Sequence, residues 1–340
     1  VSAAGVGGAG AGGGYAGKFV VICGATASGK SALAVEVALW LQRERGLRCK
    51  VLAADAFQVY RGMDIGTAKP TVAERAGVEH GLIDLVEPSE AFTLEDWLTR
   101  AAAEIQACRG AGVVPIVVGG THLYIKALLE GMFAGPGSDA GIRARLGALD
   151  RRELRAMLEK ADPAAALRLH GNDTRRTIRA LEVYELTGRP MSEHQKQWGS
   201  GGGVRPDALL VALHWPVEEL NRRINQRVRA MRSAGLVDEV RGLVERGVLG
   251  VQSGEALGYK QLVPIVSTAL ARGVWPPGQG EVDEAFERIK VQTRRFGKSQ
   301  RTWLRQLGAL AGCVNVQMGA GVDVGAIAGM ALGVLRPDRC

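Results

Sequence analysis

Gly24-Ala-Thr-Ala-Ser-Gly29-Lys30-Ser31 fits the pattern G-x-x-x-x-G-K-[ST], and its flanks decide the fold. Ahead of it, Phe19-Val-Val-Ile-Cys23 is a continuous apolar run rich in β-branched residues, as expected of a strand buried on both faces. Behind it, Leu33, Val37, Trp40 and Leu41 recur at helical spacing until Gly46 supplies a stop. Between a strand and a helix, such a loop turns its N–H groups toward phosphate oxygens, and the helix N-terminus adds positive potential. Gly24, Ala25, Thr26, Ala27, Ser28, Gly29, Lys30 and Ser31 are therefore the expected phosphate cradle. Lys30 brings a full charge, and Ser31 is the expected ligand of Mg²⁺, the expected cofactor. The competing reading is a glycine-rich turn that binds nothing.

Working outward, strand signals recur at 49–53, 82–86, 113–118 and 208–213, separated by helical patterns. That alternation predicts an α/β fold of the P-loop NTPase type, a parallel sheet with helices on both faces. Residues 18–138 and 205–307 form the expected core, with long amphipathic helices running to Leu307. Residues 139–204 read as a charged helical insertion that ends in the glycine run 199–203, a hinge or loop. Within it Leu181 and Tyr184 are spaced like a buried stripe. Residues 1–17 read as a Gly/Ala-rich flexible tail and 308–340 as a C-terminal segment; no repeat of fixed period is present.

The chain of 340 residues is 46% apolar, enough to bury a core. Its net charge of +8 is unevenly spread: between 139 and 232 there are 18 Lys/Arg against 12 Asp/Glu. From 293 to 305 stand Arg294, Arg295, Lys298, Arg301 and Arg305 with no acid. Such clusters suit a polyanion, although solvated helix faces would read the same way. The five cysteines show no C-x-x-C pair, and no histidine stands at zinc spacing, which fits a reducing compartment. Val1 in place of methionine leads to the expectation of a natural start upstream, which leaves cytoplasm, plastid and mitochondrion open. The apolar stretch 324–335 is too short to span a bilayer, so no membrane partner is expected. A monomer is expected.

Asp55 follows the second strand, at the carboxyl edge of the sheet where the phosphate loop also lies. A helix cap, a Mg²⁺ ligand and a general base are all open readings of it. The residues that follow, Asp55-Ala-Phe-Gln-Val-Tyr-Arg-Gly-Met-Asp-Ile-Gly-Thr-Ala-Lys-Pro70, closely resemble the tRNA dimethylallyltransferases. So do His80-Gly-Leu-Ile-Asp84, Pro115-Ile-Val-Val-Gly-Gly-Thr-His-Leu-Tyr124 and Lys126-Ala-Leu-Leu-Glu-Gly131. The stretch Asn172-Asp-Thr-Arg-Arg-Thr-Ile-Arg-Ala-Leu-Glu-Val-Tyr-Glu-Leu-Thr-Gly188 is similar to the signature of that family's helical insertion. Gly235-Leu-Val-Asp-Glu-Val240, Leu257-Gly-Tyr-Lys260 and Thr302-Trp-Leu-Arg305 complete the order. Ala25, Ala56, Gly81, Gln261 and Ser299 depart from the family's common residues, and none of them is a proposed catalytic group.

The resemblance implies transfer of a dimethylallyl group from its diphosphate to the exocyclic amine of the adenosine 3′ of the anticodon. The partners implied are dimethylallyl diphosphate and the tRNA anticodon stem-loop. Catalysis is then expected of Asp55 as base, with Thr121 and Arg223 on the departing diphosphate. RNA contacts are expected at Asp55, Ala56, Phe57, Gln58, Thr121 and Arg143, and along Arg175, Arg176, Thr177, Ile178 and Arg179. The rivals are an adenylate prenyltransferase of cytokinin synthesis, a P-loop kinase, and an RNA-binding protein without catalysis.

Overall fold

The computed structural model describes residues 17–131, 135–195, 204–319 and 322–331. The glycine run 199–203 and all of the tail but Gly17 lie outside the described residues. The chain divides into two compact units, residues 1–129 with 203–340, and residues 130–202.

The first unit is built on six parallel strands: β1 (Phe19–Gly24), β2 (Cys49–Ala54), β3 (Glu79–Gly81), β4 (Val114–Gly119), β5 (Ala208–His214) and β6 (Cys313–Gln317). Their order, β3-β2-β4-β1-β5-β6, puts β1 and its phosphate loop inside the sheet. All six residues of β1 and of β4 are buried, as their apolar runs require. Successive side chains point to opposite faces: Phe19, Val21 and Cys23 join a core with Trp97, Tyr60 and Phe286, whereas Val20 and Ile22 meet Leu33, Val37 and Leu41. The sheet is thus covered on both sides, as an α/β reading demands.

Helix α1 (Lys30–Arg45) begins after Gly29 and ends at Gly46, both left-handed with φ of 84° and 62°. In chain order follow α2 (Val72–Arg75), α3 (Leu94–Gly110) and α4 (His122–Glu130). The second unit holds α5 (Ala140–Gly147), α6 (Arg151–Ala161), α7 (Pro163–Arg168), α8 (Thr174–Thr187) and α9 (Met191–His194) around a core of Leu146, Leu154, Leu158 and Leu181. The first unit resumes with α10 (Val217–Ser233), α11 (Leu236–Glu245), α12 (Tyr259–Ala271), α13 (Gln279–Gly308) and α14 (Val324–Ala331). Among the described residues no helix is long and apolar enough to cross a membrane.

Four expectations need correction. The strand expected at 82–86 lies at Glu79–Gly81, because Leu82 and Asp84 turn left-handed, with φ of 61° and 54°, and break the extended backbone; Val86 keeps only a bridge to Tyr60. The C-terminal segment expected after 307 carries a sixth strand that no signal predicted, since β6 pairs along β5. The helical unit spans 130–202 rather than 139–204. Tyr184 is 37% exposed and outside the core that holds Leu181. A carboxylate explains this rotation: Glu182, fully buried, accepts from Asp139 N, Arg143 and Arg179 and draws its own side of α8 inward.

At the carboxyl edge, β4 passes β2 so closely that a Cβ on Gly119 would lie 2.0 Å from the Ala54 carbonyl oxygen. Both sides of that contact are backbone within a sheet, so neither can yield. Gly119→Ala is expected to lower stability by about 3 kcal/mol or more. Gly137→Ala, in open space, should change it little. Thermal melts of the two variants against the parent check this.

Candidate active site

The phosphate loop is tied down through its carbonyls. Ala25 O accepts from Ser28 N and from Lys30 Nζ, Ala27 O from Arg223 Nε at 2.8 Å, and Ser28 O from Trp215 Nε1 at 2.9 Å. Arg223 also lies over the Trp215 ring, 4.4 Å from its centroid. Ala27 is held left-handed at φ 62°, a conformation with a cost for a residue bearing a Cβ. The amides of Ala27, Gly29, Lys30, Ser31 and Ala32 find no acceptor among the described residues. A free row of N–H groups at a helix N-terminus is what an anion needs.

Burial pushes Lys30 down to about 8, and the neighbouring Arg227 guanidinium adds to this against the pull of Asp55. Burial also lowers Arg227 below its ordinary value, with Asp55 acting to restore it. His122, 3% exposed, is pushed down to about 4 by burial and then by Lys30, and is therefore neutral at pH 7. Two cations and one carboxylate thus share this corner. Arg223 lies on the loop, donating to Ala27 O, while Arg222 is a surface residue paired with Glu219.

Asp55 follows β2 directly. Its Oδ1 accepts from Phe57 N at 2.9 Å and Gln58 N at 3.3 Å, an Asx turn that leaves Oδ2 with no donor among the described residues. The close passage of β4 lets Thr121 N donate to Ala54 O at 3.2 Å, and Thr121 Oγ1 accepts from Ala56 N at 3.1 Å. Asp55, Ala56, Phe57, Gln58 and Thr121 are therefore one assembly. Tyr124, stacked on Trp97 at 4.9 Å, has its hydroxyl raised by burial and then by Asp55, so it stays protonated.

The stretch from Gln58 to Pro70 is a loop with a carboxylate at its centre. Glu239 Oε2 accepts from Asp64 N and Ile65 N, and its Oε1 accepts from Gly66 N and from the Tyr259 hydroxyl at 2.5 Å. A Cβ on Gly66 would strike the Tyr259 ring at 2.4 Å. From the other side Lys69, 7% exposed, reaches Tyr60 O, Asp64 and Asp84. The Gln58 amide donates to Thr67 O and Ala68 O, joining this loop to the Asp55 turn. Several of these residues stand in the blocks quoted above, but no spacing signals their pairing: Glu239 lies 173 to 175 residues from the amides it holds.

In the second unit Arg143 and Arg179 grip Glu182, and Arg179 also donates to Pro136 O. Thr177 is 6% exposed and Ile178 packs on the unit's core, so these two serve packing, contrary to the expectation of RNA contact. Arg175 and Arg176 remain exposed on α8.

Mg²⁺ fits here only in company with its ligand. Among the described residues no group of three His, Cys, Asp or Glu could cage a metal. Ser31 offers an exposed hydroxyl on the first turn of α1, and Mg²⁺ commonly takes one or two protein oxygens with the rest from phosphate and water.

The IPP transferase family model matches residues 58–307. The chain is 41% identical over 300 residues to a tRNA dimethylallyltransferase of Trichlorobacter lovleyi, covering 86% of this chain and 92% of that one. It is 42% identical over 294 residues to one from Geobacter sulfurreducens, covering 85% and 89%. Among solved structures it resembles the full-length tRNA isopentenylpyrophosphate transferase of Bacillus halodurans, with 34% identity, a TM-score of 0.63 and coverage of 93% and 96%. It also resembles a eukaryotic dimethylallyltransferase acting on tRNA, with 27% identity, a TM-score of 0.71 and coverage of 89% and 74%.

Charged Lys30 favours a bound anion, and Lys30 is charged below about 8. Affinity for an organic diphosphate, itself fully ionised by then, is therefore full below that pH and falls as pH rises through it. Calorimetric titration from pH 6.5 to 9.5 should show this loss, and Lys30→Ala should bind more weakly with a flat profile.

Proposed function

The chain belongs to the IPP transferase family, and from that premise we propose that it moves a dimethylallyl group from dimethylallyl diphosphate to the exocyclic amine of the adenosine 3′ of the anticodon in tRNA. The observation that carries this reading is that Thr121 holds the turn of Asp55 at the sheet edge, where Asp55 acts electrostatically on Lys30 of the phosphate loop and on Arg227. A P-loop kinase would use such a carboxylate too; what favours prenyl transfer over phosphoryl transfer is the chain's likeness to tRNA dimethylallyltransferases.

The diphosphate lies on the free amides of the loop, with Lys30 and Arg223 beside it. The adenine amine attacks the allylic carbon; a C–N bond forms, and the C–O bond breaks with its electron pair leaving on the diphosphate. That amine is a weak nucleophile, because its lone pair is delocalised into the ring. Asp55 Oδ2, with no other donor, accepts its proton as the bond forms, while Oδ1 stays fixed by the Phe57 and Gln58 amides. Thr121 holds the Asp55 turn through Ala56 N, and the cations offset charge growing on the leaving group. Mg²⁺ held by Ser31 and the diphosphate would supply further positive charge there.

A stacked base cannot reach such a corner, so the nucleotide turns out of its loop, which costs least in a single strand. Arg175 and Arg176 of the second unit, and Lys298, Arg301 and Arg305 of α13, offer cations to the RNA backbone. The presence of a dedicated helical unit, residues 130–202, favours RNA over free AMP as acceptor.

Nucleoside mass spectrometry tests the reading. Incubated with dimethylallyl diphosphate, an anticodon stem-loop should yield isopentenyladenosine, with free AMP turned over at least 100-fold less well. Equal turnover of AMP would move the assignment to a cytokinin-type enzyme, and transfer of phosphate from ATP would move it to a kinase.

A further inference from the structure

Three parts of the candidate site come from distant stretches of the chain: the phosphate loop after β1, the turn after β4 that carries Thr121, and α13. One side chain touches all three. Gln300, 4% exposed on α13, accepts from Thr26 N at 2.8 Å through Oε1 and donates from Nε2 to Gly120 O at 2.9 Å. Gly120 makes room for it: a Cβ there would lie 2.6 Å from Gln300 Nε2, 3.4 Å from Gly24 O and 3.5 Å from Lys30 Nζ. The junction is therefore packed around Gln300, and the next residue in the chain is Thr121.

We propose that Gln300 is a positioning residue of the transfer reaction: its amide sets the spacing between the diphosphate cradle and the Thr121–Asp55 assembly. Gln300 itself reaches neither substrate. Its oxygen occupies the Thr26 amide, which removes that N–H from the anion cradle and leaves the anion to the amides from Ala27 onward. Its nitrogen pins the carbonyl just ahead of Thr121. Donor and acceptor are both needed side by side at the tip, which an amide or a protonated carboxyl of this length provides. Misplacement of a base against its reacting partner costs rate rather than affinity, because the chemistry needs a near-attack geometry that binding does not.

The inference rests on the prenyl-transfer reading, and the test separates the two. Single-turnover alkylation of an anticodon stem-loop at saturating dimethylallyl diphosphate is measured for the parent, Gln300→Met and Gln300→Glu from pH 5.5 to 8.5. Diphosphate affinity and folded fraction are measured alongside. Gln300→Met should slow the step 10- to 100-fold, as order-of-magnitude values, with diphosphate affinity within about threefold of the parent. Gln300→Glu carries its own control. Ionised, it loses the donor to Gly120 O; protonated, it regains both hydrogen bonds, and burial raises the pH at which that happens. Its rate relative to the parent should therefore rise at least about threefold as pH falls across the range. A Gln300→Met rate within twofold of the parent, a loss confined to diphosphate affinity, or a flat Gln300→Glu ratio would each overturn the proposal. Should Gln300→Met not fold, the Gln300→Glu ratio decides alone. A parent that makes no alkylated product would instead remove the prenyl-transfer reading itself.

Discussion

The site depends on a contact that only a missing side chain permits. At the carboxyl edge of the sheet Gly119 lies where a Cβ would sit 2.0 Å from Ala54 O. Because the strands meet so closely, the turn after β4 reaches the turn after β2, and Thr121 bonds to both Ala54 and Ala56. Asp55 stands between those two residues. One backbone and one side-chain hydrogen bond of Thr121 at the edge of a parallel sheet thus fix the turn that carries Asp55, and rigid elements of this kind hold a side chain better than loops do.

The remaining loops are fixed by polar groups placed inside them as well as by apolar packing of residues such as Val59, Tyr60 and Met63. Glu239 gathers three successive amides, Lys69 joins two carboxylates and a carbonyl, and Gln300 joins two turns. Each leaves its backbone partners satisfied in places where an unmade hydrogen bond would cost about 1–3 kcal/mol. Their arrangement also shapes the electrostatics. Carbonyls of the phosphate loop face Arg223, Trp215 and Lys30, so the opposite side of the loop presents N–H groups to an anion. Lys30 and Arg227 oppose one another and both attract Asp55, which keeps a carboxylate in a cationic corner without a direct salt bridge that would block its second oxygen.

Local pattern carried much of this. Strand β1, its loop and α1 are contiguous, and each signals itself by periodicity and glycine placement. The 82–86 strand failed because left-handed Leu82 and Asp84 leave no trace in hydrophobic pattern. Strand β6 is hard to read because CVNVQ is only five residues long and alternates apolar with polar residues, unlike the continuous apolar runs of β1 and β4. Tyr184 was misplaced because a buried carboxylate, not the apolar stripe, sets how α8 is turned. Asp55 and Thr121 could be chosen through family resemblance, but Glu239, Tyr259 and Gln300 act across as many as 274 residues of sequence, where no spacing rule reaches.

In the proposed reaction Asp55 accepts the proton as the C–N bond forms. Asp55→Asn keeps the shape and the Oδ1 contacts but removes the basic oxygen. Single-turnover alkylation of an anticodon stem-loop, measured across a Mg²⁺ series, tests it directly. With Asp55 as the base, the rate falls by about 10²–10⁴ at every Mg²⁺ level, with affinities for RNA and diphosphate near those of the parent. A rate close to the parent's, or recovery as Mg²⁺ is raised, would contradict it and make Asp55 a spectator or a metal ligand.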